Sequence, residues 1–242
     1  MRLPKKLSII IPVFNEAERI KSGLKIIQDW HKRYPGWEFI LVNDGSGDDT
    51  EKIIKKFPFV KLISYYKNQG KGYALKQGVL KATQPLVLLS DIDFSTPLTE
   101  LPKLAAAIKE ADLVIGSRKS LGAEIIKHQP WWREFLGRQF TNLSKMWLGL
   151  KVSDVTCGFK LIKTPVAKKL FKQQKIKRWS YDAEILFLAK KLGFKVAEVP
   201  VVWQNDEKTK VKIFPDIFRS LVDLWLIRCQ KYTPSSPRKY YH

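Results

Sequence analysis

The chain has 242 residues, 45% of them hydrophobic, and 44 lysines and arginines against 23 aspartates and glutamates, a formal net charge of +21. That apolar content can fill a core and excludes wholesale disorder, while the charge implies polyanionic company such as nucleic acid, nucleotides or an anionic membrane surface. Two cysteines, Cys157 and Cys229, cannot make a disulfide framework and favour a reducing, cytosolic setting, and no run approaches the ~18–20 apolar residues that span a bilayer, which leaves peripheral membrane contact.

The basic start runs into the apolar stretch Leu7–Val13, which Asn15 and Glu16 interrupt, so it reads as a buried strand and not as a signal peptide. Ile20, Leu24, Ile27 and Trp30 mark one face of a helix. A strand at 39–43 follows, then turn chemistry at Gly45-Ser46-Gly47, a short helix and a strand at 60–64. Helix 72–82, strand 86–90, helix 100–110 and strand 113–116 complete the run. Strands alternating with helices predict an α/β fold of right-handed βαβ units, a mainly parallel twisted sheet flanked by helices. Ligands of such sheets lie beyond the carboxyl ends of the strands. Pro12-Val13-Phe14-Asn15-Glu16 carries no glycine fingerprint for a dinucleotide, and Gly70-Lys71-Gly72 lacks the rest of a Walker loop. Both devices are excluded.

The second half changes character. Residues 117–150 mix Trp131, Trp132, Phe135, Phe140 and Trp147 with Arg118, Arg133 and Arg138. Residues 154–162 read as a strand, 181–192 as a helix and 194–203 as another strand. A charged loop spans 204–210, a last helix about 213–228, and 233–242 is a polar tail expected to be loose. In that helix Lys212, Asp216, Arg219, Ser220 and Asp223 form a polar strip, and Phe214, Ile217, Phe218, Leu221, Val222 and Trp225 an apolar arc. The arc suits either core packing or a membrane dock, as does the segment 131–150. With no repeat and no linker, one domain is expected.

Ser90-Asp91-Ile92-Asp93 directly follows an apolar strand. Two carboxylates beyond a buried strand are costly unless a cation compensates them. In an extended segment Asp91 and Asp93 point the same way and can share Mg²⁺ or Mn²⁺, whose other ligands come from phosphate oxygens and water. A helix cap or solvated turn is the plainer reading of such a motif. Asp44, in Asn43-Asp44-Gly45-Ser46, could accept from a nucleobase or ribose, or make an Asx-turn. Asn15 could serve the site or cap the next helix. Asn68-Gln69-Gly70-Lys71-Gly72 opens a helix with flexible backbone and the cation Lys71, which suits phosphate. His31, His128 and His242 have no metal-ligand spacing, and Cys157 reads as a core residue in a strand.

Taken in order, residues 9–16, Val42-Asn43-Asp44-Gly45-Ser46, Asn68-Gln69-Gly70-Lys71-Gly72 and Asp91-Ile92-Asp93 resemble the inverting family-2 glycosyltransferases of GT-A fold. Gly116-Ser117-Arg118 and Asp154-Val155-Thr156-Cys157-Gly158-Phe159-Lys160 resemble the polyprenyl-phosphate branch, with its dolichyl-phosphate mannose and glucose synthases. Trp179-Ser180-Tyr181-Asp182-Ala183-Glu184, Glu198-Val199-Pro200-Val201 and Thr209-Lys210-Val211 look closer to the glucose members. The resemblance covers about 7–228. It implies Pro12, Phe14, Glu16, Asp44, Lys71 and Asp91 around the nucleotide, Asp91 and Asp93 on the metal, and Arg118, Arg133 and Lys210 near the acceptor phosphate, with Asp91, Asp93 and Arg118 catalytic. Ser95 stands where mannose synthases carry a Gln, and Gly137 where a hydroxyl is expected. The domain of about 1–230 then divides into a nucleotide-binding half, about 7–116, and an acceptor and membrane-facing half, about 117–230, with 231–242 as tail.

The reaction so implied moves a sugar, glucose from UDP-glucose ahead of mannose from GDP-mannose, to a dolichyl or undecaprenyl phosphate at the cytoplasmic face of a membrane. A soluble family-2 enzyme with a hydroxyl acceptor is the nearest rival. A nucleic-acid-binding module would explain the charge but not carboxylates at strand ends, so no nucleic acid partner is expected. The reading fails if Asp91 and Asp93 point apart, or if a lysine plugs them and leaves no room for a nucleotide.

Overall fold

The computed structural model describes residues 3–206 and 213–233, with side chains left aside over 213–218. Strand β1 (Leu7–Val13) is buried almost throughout. Leu7, Ile9 and Ile11 enter one core layer and Ile10 the other, the period-2 pattern of a strand covered on both faces. β2 (Trp37–Asp44), β3 (Val60–Tyr65) and β4 (Leu86–Leu89) join it in parallel, in the spatial order β3-β2-β1-β4. The crossovers contain α1 (Ile20–Arg33), α2 (Thr50–Ile54) and α3 (Lys71–Lys81). Ile20, Leu24 and Ile27 of α1 share one layer with Leu101 and Leu104 of α4 (Leu101–Ala107). Ala74, Leu75 and Val79 of α3 fill the opposite layer. The result is three layers, helix on sheet on helix.

After β5 (Leu113–Ser117) the order becomes less regular. β6 (Glu124–Lys127) and α5 (Trp131–Leu148) precede β7 (Lys160–Lys163), which inserts antiparallel between β4 and β5. α6 (Thr164–Gln173) and α7 (Tyr181–Lys191) follow, and β8 (Val196–Pro200) pairs in parallel with β5. β9 (Val202–Gln204) leaves the main sheet to pair with β6, and α8 (Ile213–Cys229) packs on α5 and α7.

Three expectations are corrected here. Residues 154–162 are not one strand: only Lys160–Lys163 enters the ladder. The Ser153 and Asp154 amides donate to the Glu198 carboxylate, so this backbone is satisfied outside the sheet. Cys157 therefore lies in a loop and not in a strand, though it is buried as expected, and burial pushes its thiol up. The strand expected at 194–203 divides at Val201, whose amide still donates to the Ser117 carbonyl of β5 while its own carbonyl accepts from Glu124 at the head of β6, so the chain changes sheets there.

The reversal of β7 decides what reaches the site. Its first residue, Lys160, sits beside Leu89 at the end of β4. The segment leading into it thus lies at the same sheet edge as the carboxyl ends of β1, β2, β4 and β5.

Candidate active site

Pro12 and Phe14, at the exit of β1, are half-buried. Asn15 follows with φ 51°, a left-handed conformation that Asn tolerates better than most residues. Its Oδ1 accepts from the Gly47 amide at 2.8 Å, so it ties two loops together and does not cap α1. The amides of Asn15 and Glu16 donate in turn to Ser46 Oγ at 2.9 Å and Thr50 Oγ1 at 2.7 Å. The Glu16 carboxylate lies on the Arg19 guanidinium, which also reaches Asp206 at 2.6 Å and Asp93 at 3.8 Å.

Asp44 ends β2 and is only 3% exposed. Its oxygens accept from the Gln69 and Gly70 amides, both at 2.8 Å, and from Asn68 Nδ2 at 2.9 Å. The carboxylate assigned by resemblance to the nucleoside thus holds the loop at the head of α3; it makes no Asx-turn. Gly70 has φ 105°, and a Cβ there would stand 2.6 Å from the Lys177 carbonyl oxygen, so only glycine fits. The clamp aims Lys71, the first residue of α3, at the exit of β4.

That exit, Ser90–Asp93, is not extended as the sequence reading assumed. It is a turn, closed by the Phe94 amide on the Asp91 carbonyl at 3.2 Å. Ile92 drops into the core, leaving the aspartates on either side of it partly exposed. Their carboxylates still act on each other. Burial, and then the charge of Asp91, push the Asp93 carboxyl above its ordinary range, against the Ser95 amide that donates to it at 3.0 Å. Phe94 follows with φ 48°, a conformation that costs a bulky residue on the order of 1–3 kcal/mol. The strain sits directly behind the aspartate pair.

Lys71 does contact Asp91, Nζ to Oδ1 at 2.6 Å, and lies 5.5 Å from the Trp179 ring centroid. Burial opposes its charge, but Asp91 and Asp182 outweigh that and hold the ammonium above its ordinary value. The lysine covers one oxygen of Asp91 and leaves the carboxylate partly open. The Asp91 side chain keeps 39% exposure, and its Oδ2 faces Gly158, where a Cβ would come within 2.8 Å. Asp91, Ser95, Thr96, Gly158 and Trp203 line a small recess of about 20 Å³. A larger hollow, about 310 Å³, opens at the opposite edge of the sheet beside Trp37 and Lys61, away from both aspartates. Among the described residues no three His, Cys, Asp or Glu side chains form a metal cage. Two carboxylates are enough for a hard divalent cation only where its other ligands come from phosphate and water.

Arg118 follows β5. Its guanidinium forks onto Asp154, Nε to Oδ2 at 2.7 Å and Nη2 to Oδ1 at 2.9 Å, and donates to Thr156 Oγ1 at 2.8 Å. The Trp203 ring lies over it at 5.3 Å. Lys119 Nζ reaches Thr141 Oγ1 at 2.8 Å and the Gly137 carbonyl at 3.5 Å. Burial lowers its ammonium pKa, as do Arg118, Arg138 and Lys145, with Asp154 opposing. Four cations converge there, a suitable surface for an anion.

Residues 8–171 match the family described as Glycosyl transferase family 2. The chain belongs to that family. A dolichyl-phosphate beta-glucosyltransferase of Trichomonas vaginalis is 33% identical over 95% of this chain and 76% of its own length. The dolichyl-phosphate beta-glucosyltransferase of Homo sapiens is 29% identical over the same shares. Among solved structures, glucosyl-3-phosphoglycerate synthase from Mycobacterium tuberculosis in complex with UDP has a TM-score of 0.69. It shares 19% identity and covers 93% of this chain and 80% of its own. The fold is thereby GT-A, as the motifs implied.

Within this glycosyltransferase the structure gathers Pro12, Phe14, Glu16, Asp44, Lys71, Asp91, Asp93 and Arg118 at one sheet edge. Arg133 stands apart from that set: at the start of α5 it stacks on Trp132 at 5.2 Å, and its Nε is buried without a partner. Lys210 lies outside the described residues. Where a hydroxyl was expected at Gly137 there is open space, and Thr141, one turn on, offers one instead. Asp154, Lys119, Thr141 and Trp203 went unassigned by sequence reasoning. Asp154 had a signal, since it opens a quoted motif; the other three had none beyond residue type.

Of the polar strip expected on the last helix, Arg219 is exposed. In α8, Ser220 and Asp223 are half-buried, and burial pushes the Asp223 carboxyl up. Leu224 and Ile227 enter the core while Leu221, Val222 and Trp225 stand exposed. The described members of the expected apolar arc thus lie on the surface, and the core contacts of α8 come from residues outside it. Lys212, Phe214, Asp216, Ile217 and Phe218 have no described side chains. Trp131, Phe135, Met146 and Trp147 of α5 are exposed too. Among the described residues no helix is long and apolar enough to cross a membrane.

Proposed function

We propose that this glycosyltransferase moves glucose from UDP-glucose to the phosphate of a polyprenyl lipid, working at an anionic membrane surface on its cytoplasmic face. The observation that carries the reading is Asp91 lining one recess with Trp203, whose ring lies over the Arg118 guanidinium at 5.3 Å. It supports two anionic substrates meeting, one on each side. The relatives' names supply dolichyl phosphate and glucose, and a fold neighbour has been captured with Mn²⁺ and UDP-glucose.

The acceptor is a phosphate monoester whose second pKa is about 6, so near neutrality it is largely a dianion. Such a nucleophile needs little help from a general base, and none is assigned. Its oxygen attacks the anomeric carbon, the bond to the diphosphate breaks, and configuration inverts. Arg118, held flat by Asp154 and Trp203, presents its remaining donors to that phosphate. Lys119 screens the repulsion between the two anions. On the donor side Lys71 stands beside Asp91, placed for the diphosphate. Asp91 and Asp93 would hold Mg²⁺ or Mn²⁺, which would supply Lewis-acid stabilisation of the departing charge. The free thiols of Cys157 and Cys229 are consistent with a reducing compartment.

The test is a nucleotide-sugar panel with Mg²⁺, with and without a short polyprenyl phosphate. Lipid-dependent consumption of UDP-glucose is the expected result. Preference for GDP-mannose would overturn the sugar, and transfer only to hydroxyl acceptors would overturn the lipid.

A further inference from the structure

Beneath the site lies a charged pair shielded from solvent. Lys160 is fully buried at the start of β7, and its Nζ contacts both Asp182 Oδ1, in the first turn of α7, and the Cys157 carbonyl oxygen. Taking two charges out of water is costly, and an apolar pair of similar volume is often at least as stable. Core packing does not account for it.

Both partners lead to Asp91. By holding the Cys157 carbonyl, Lys160 fixes the backbone that enters Gly158, and Gly158 lies against the Asp91 carboxylate. A Cβ there would stand 2.8 Å from Asp91 Oδ2 and 3.6 Å from Lys71 Nζ. On the other side Lys71 holds Asp91 Oδ1 at 2.6 Å, and the head of α3 that carries it rests on the turn of α7 that bears Asp182, since a Cβ at Gly72 would stand 2.7 Å from Tyr181 Cβ. Along Asp91, Lys71, Asp182 and Lys160 the signs alternate, so each charge has opposite neighbours.

We propose that Asp182 and Lys160 are positioning residues for the donor site, setting the Gly158 backbone and the Lys71 ammonium on either side of Asp91. The orientation of the Asp91 carboxylate toward a divalent cation and a diphosphate then depends on a pair that touches neither. This rests on the reading of Asp91 as a cation-holding group.

Asp182→Asn alone leaves Lys160 buried and unpaired and can unfold the chain. The informative variant is Lys160→Met/Asp182→Leu in the whole protein, which removes both charges and keeps apolar volume. Thermal melting and calorimetric binding of UDP-glucose with and without Mn²⁺ are measured beside kcat and acceptor KM. Partners behind metal ligands typically matter by about 10–100-fold. The expected result is a folded variant whose Mn²⁺-dependent gain in UDP-glucose affinity and whose kcat fall by about that factor, with acceptor KM unchanged. A folded variant with the parent's Mn²⁺ gain and kcat overturns the proposal. Asp182→Glu keeps the charge on a longer arm; loss of the Mn²⁺ gain at parental Tm supports positioning, and parental values of both overturn it. A parent protein with no Mn²⁺ gain at all would sink the underlying reading of Asp91 instead.

Discussion

The Arg118 guanidinium lies flat against the Asp154 carboxylate in a two-point fork, 2.7 and 2.9 Å long, and the Asp154 side chain is wholly buried. The two residues are 36 apart in sequence. The pair does two things: it neutralises a charge inside the fold, and it fixes the plane in which Arg118 meets an anion.

Arg118→Ala should lower kcat/KM by about 10²–10³, the usual cost of losing one oriented charge partner. Arg118→Lys should recover little, because a point charge cannot reproduce the fork. Steady-state transfer to a short polyprenyl phosphate checks both, and a lysine variant with near-parental activity would contradict the forked role.

Asp154→Asn should destabilise the protein by ~3 kcal/mol, breaking one side of a buried pair. For a chain of this size that is a Tm loss of roughly 6–12 °C. Arg118 holds the Asp154 carboxyl far below its ordinary range, with burial opposing. A depressed carboxylate adds stability above its unfolded pKa of ~3.9 and loses it as pH falls through that value toward the folded one. The Tm gap between parent and variant should therefore be full at pH 6 and shrink below about pH 4. A gap independent of pH would refute the assignment.

Asp93→Asn should separate stability from activity. Burial and the neighbouring Asp91 disfavour the Asp93 carboxylate, so its folded pKa is raised and the ionised form weakens the fold as pH rises past ~4. Without divalent cation the variant should melt at or above the parent's temperature at neutral pH. Its turnover should nonetheless fall by about 10²–10³. Near-normal turnover with saturating Mg²⁺ would end the metal-holding role.

Gly158→Ala tests the geometry around Asp91 directly. The added Cβ would meet Asp91 Oδ2 at 2.8 Å, and Gly158 has no left-handed φ for an alanine to strain. Tm should stay close to the parent's, while displacement of the carboxylate costs about 10–100-fold in kcat. Melting curves and initial rates on one preparation suffice.

Trp131 and Trp225 are 78% and 56% exposed, on helices that pack against each other. Basic residues near an anionic leaflet add about 1 kcal/mol each, and exposed tryptophan suits the interface beneath them. The chain should co-sediment with anionic liposomes, less so at high salt. Trp131→Ser/Trp225→Ser should weaken that binding several-fold at unchanged Tm. Salt-insensitive absence of binding in the parent would remove the membrane from the proposal.

Much of the donor half was legible in the sequence for a local reason. The apolar period of β1, the glycine-bearing loop before α3 and the Asp91-Ile92-Asp93 turn each depend on neighbours within a few residues. Even there the backbone was misjudged, because closure of the turn by Phe94 depends on Ile92 finding the core. Asp44 shows the same limit: its place at a strand end was readable, its hydrogen bonds to a loop 25 residues on were not.

What the sequence determined by itself is the alternation of strands and helices, hence a parallel sheet whose carboxyl edge carries aspartates on one side and arginine on the other. What only the tertiary structure decided is the company those residues keep. The reversal of β7 brings Asp154, Gly158 and Lys160 to Arg118 and Asp91, and α8 buries Leu224 and Ile227 while Leu221, Val222 and Trp225 of its apolar arc stay on the surface. Pairing between distant strands leaves no period in the chain, because it is chosen by the burial of whole layers and not by the preferences of adjacent residues.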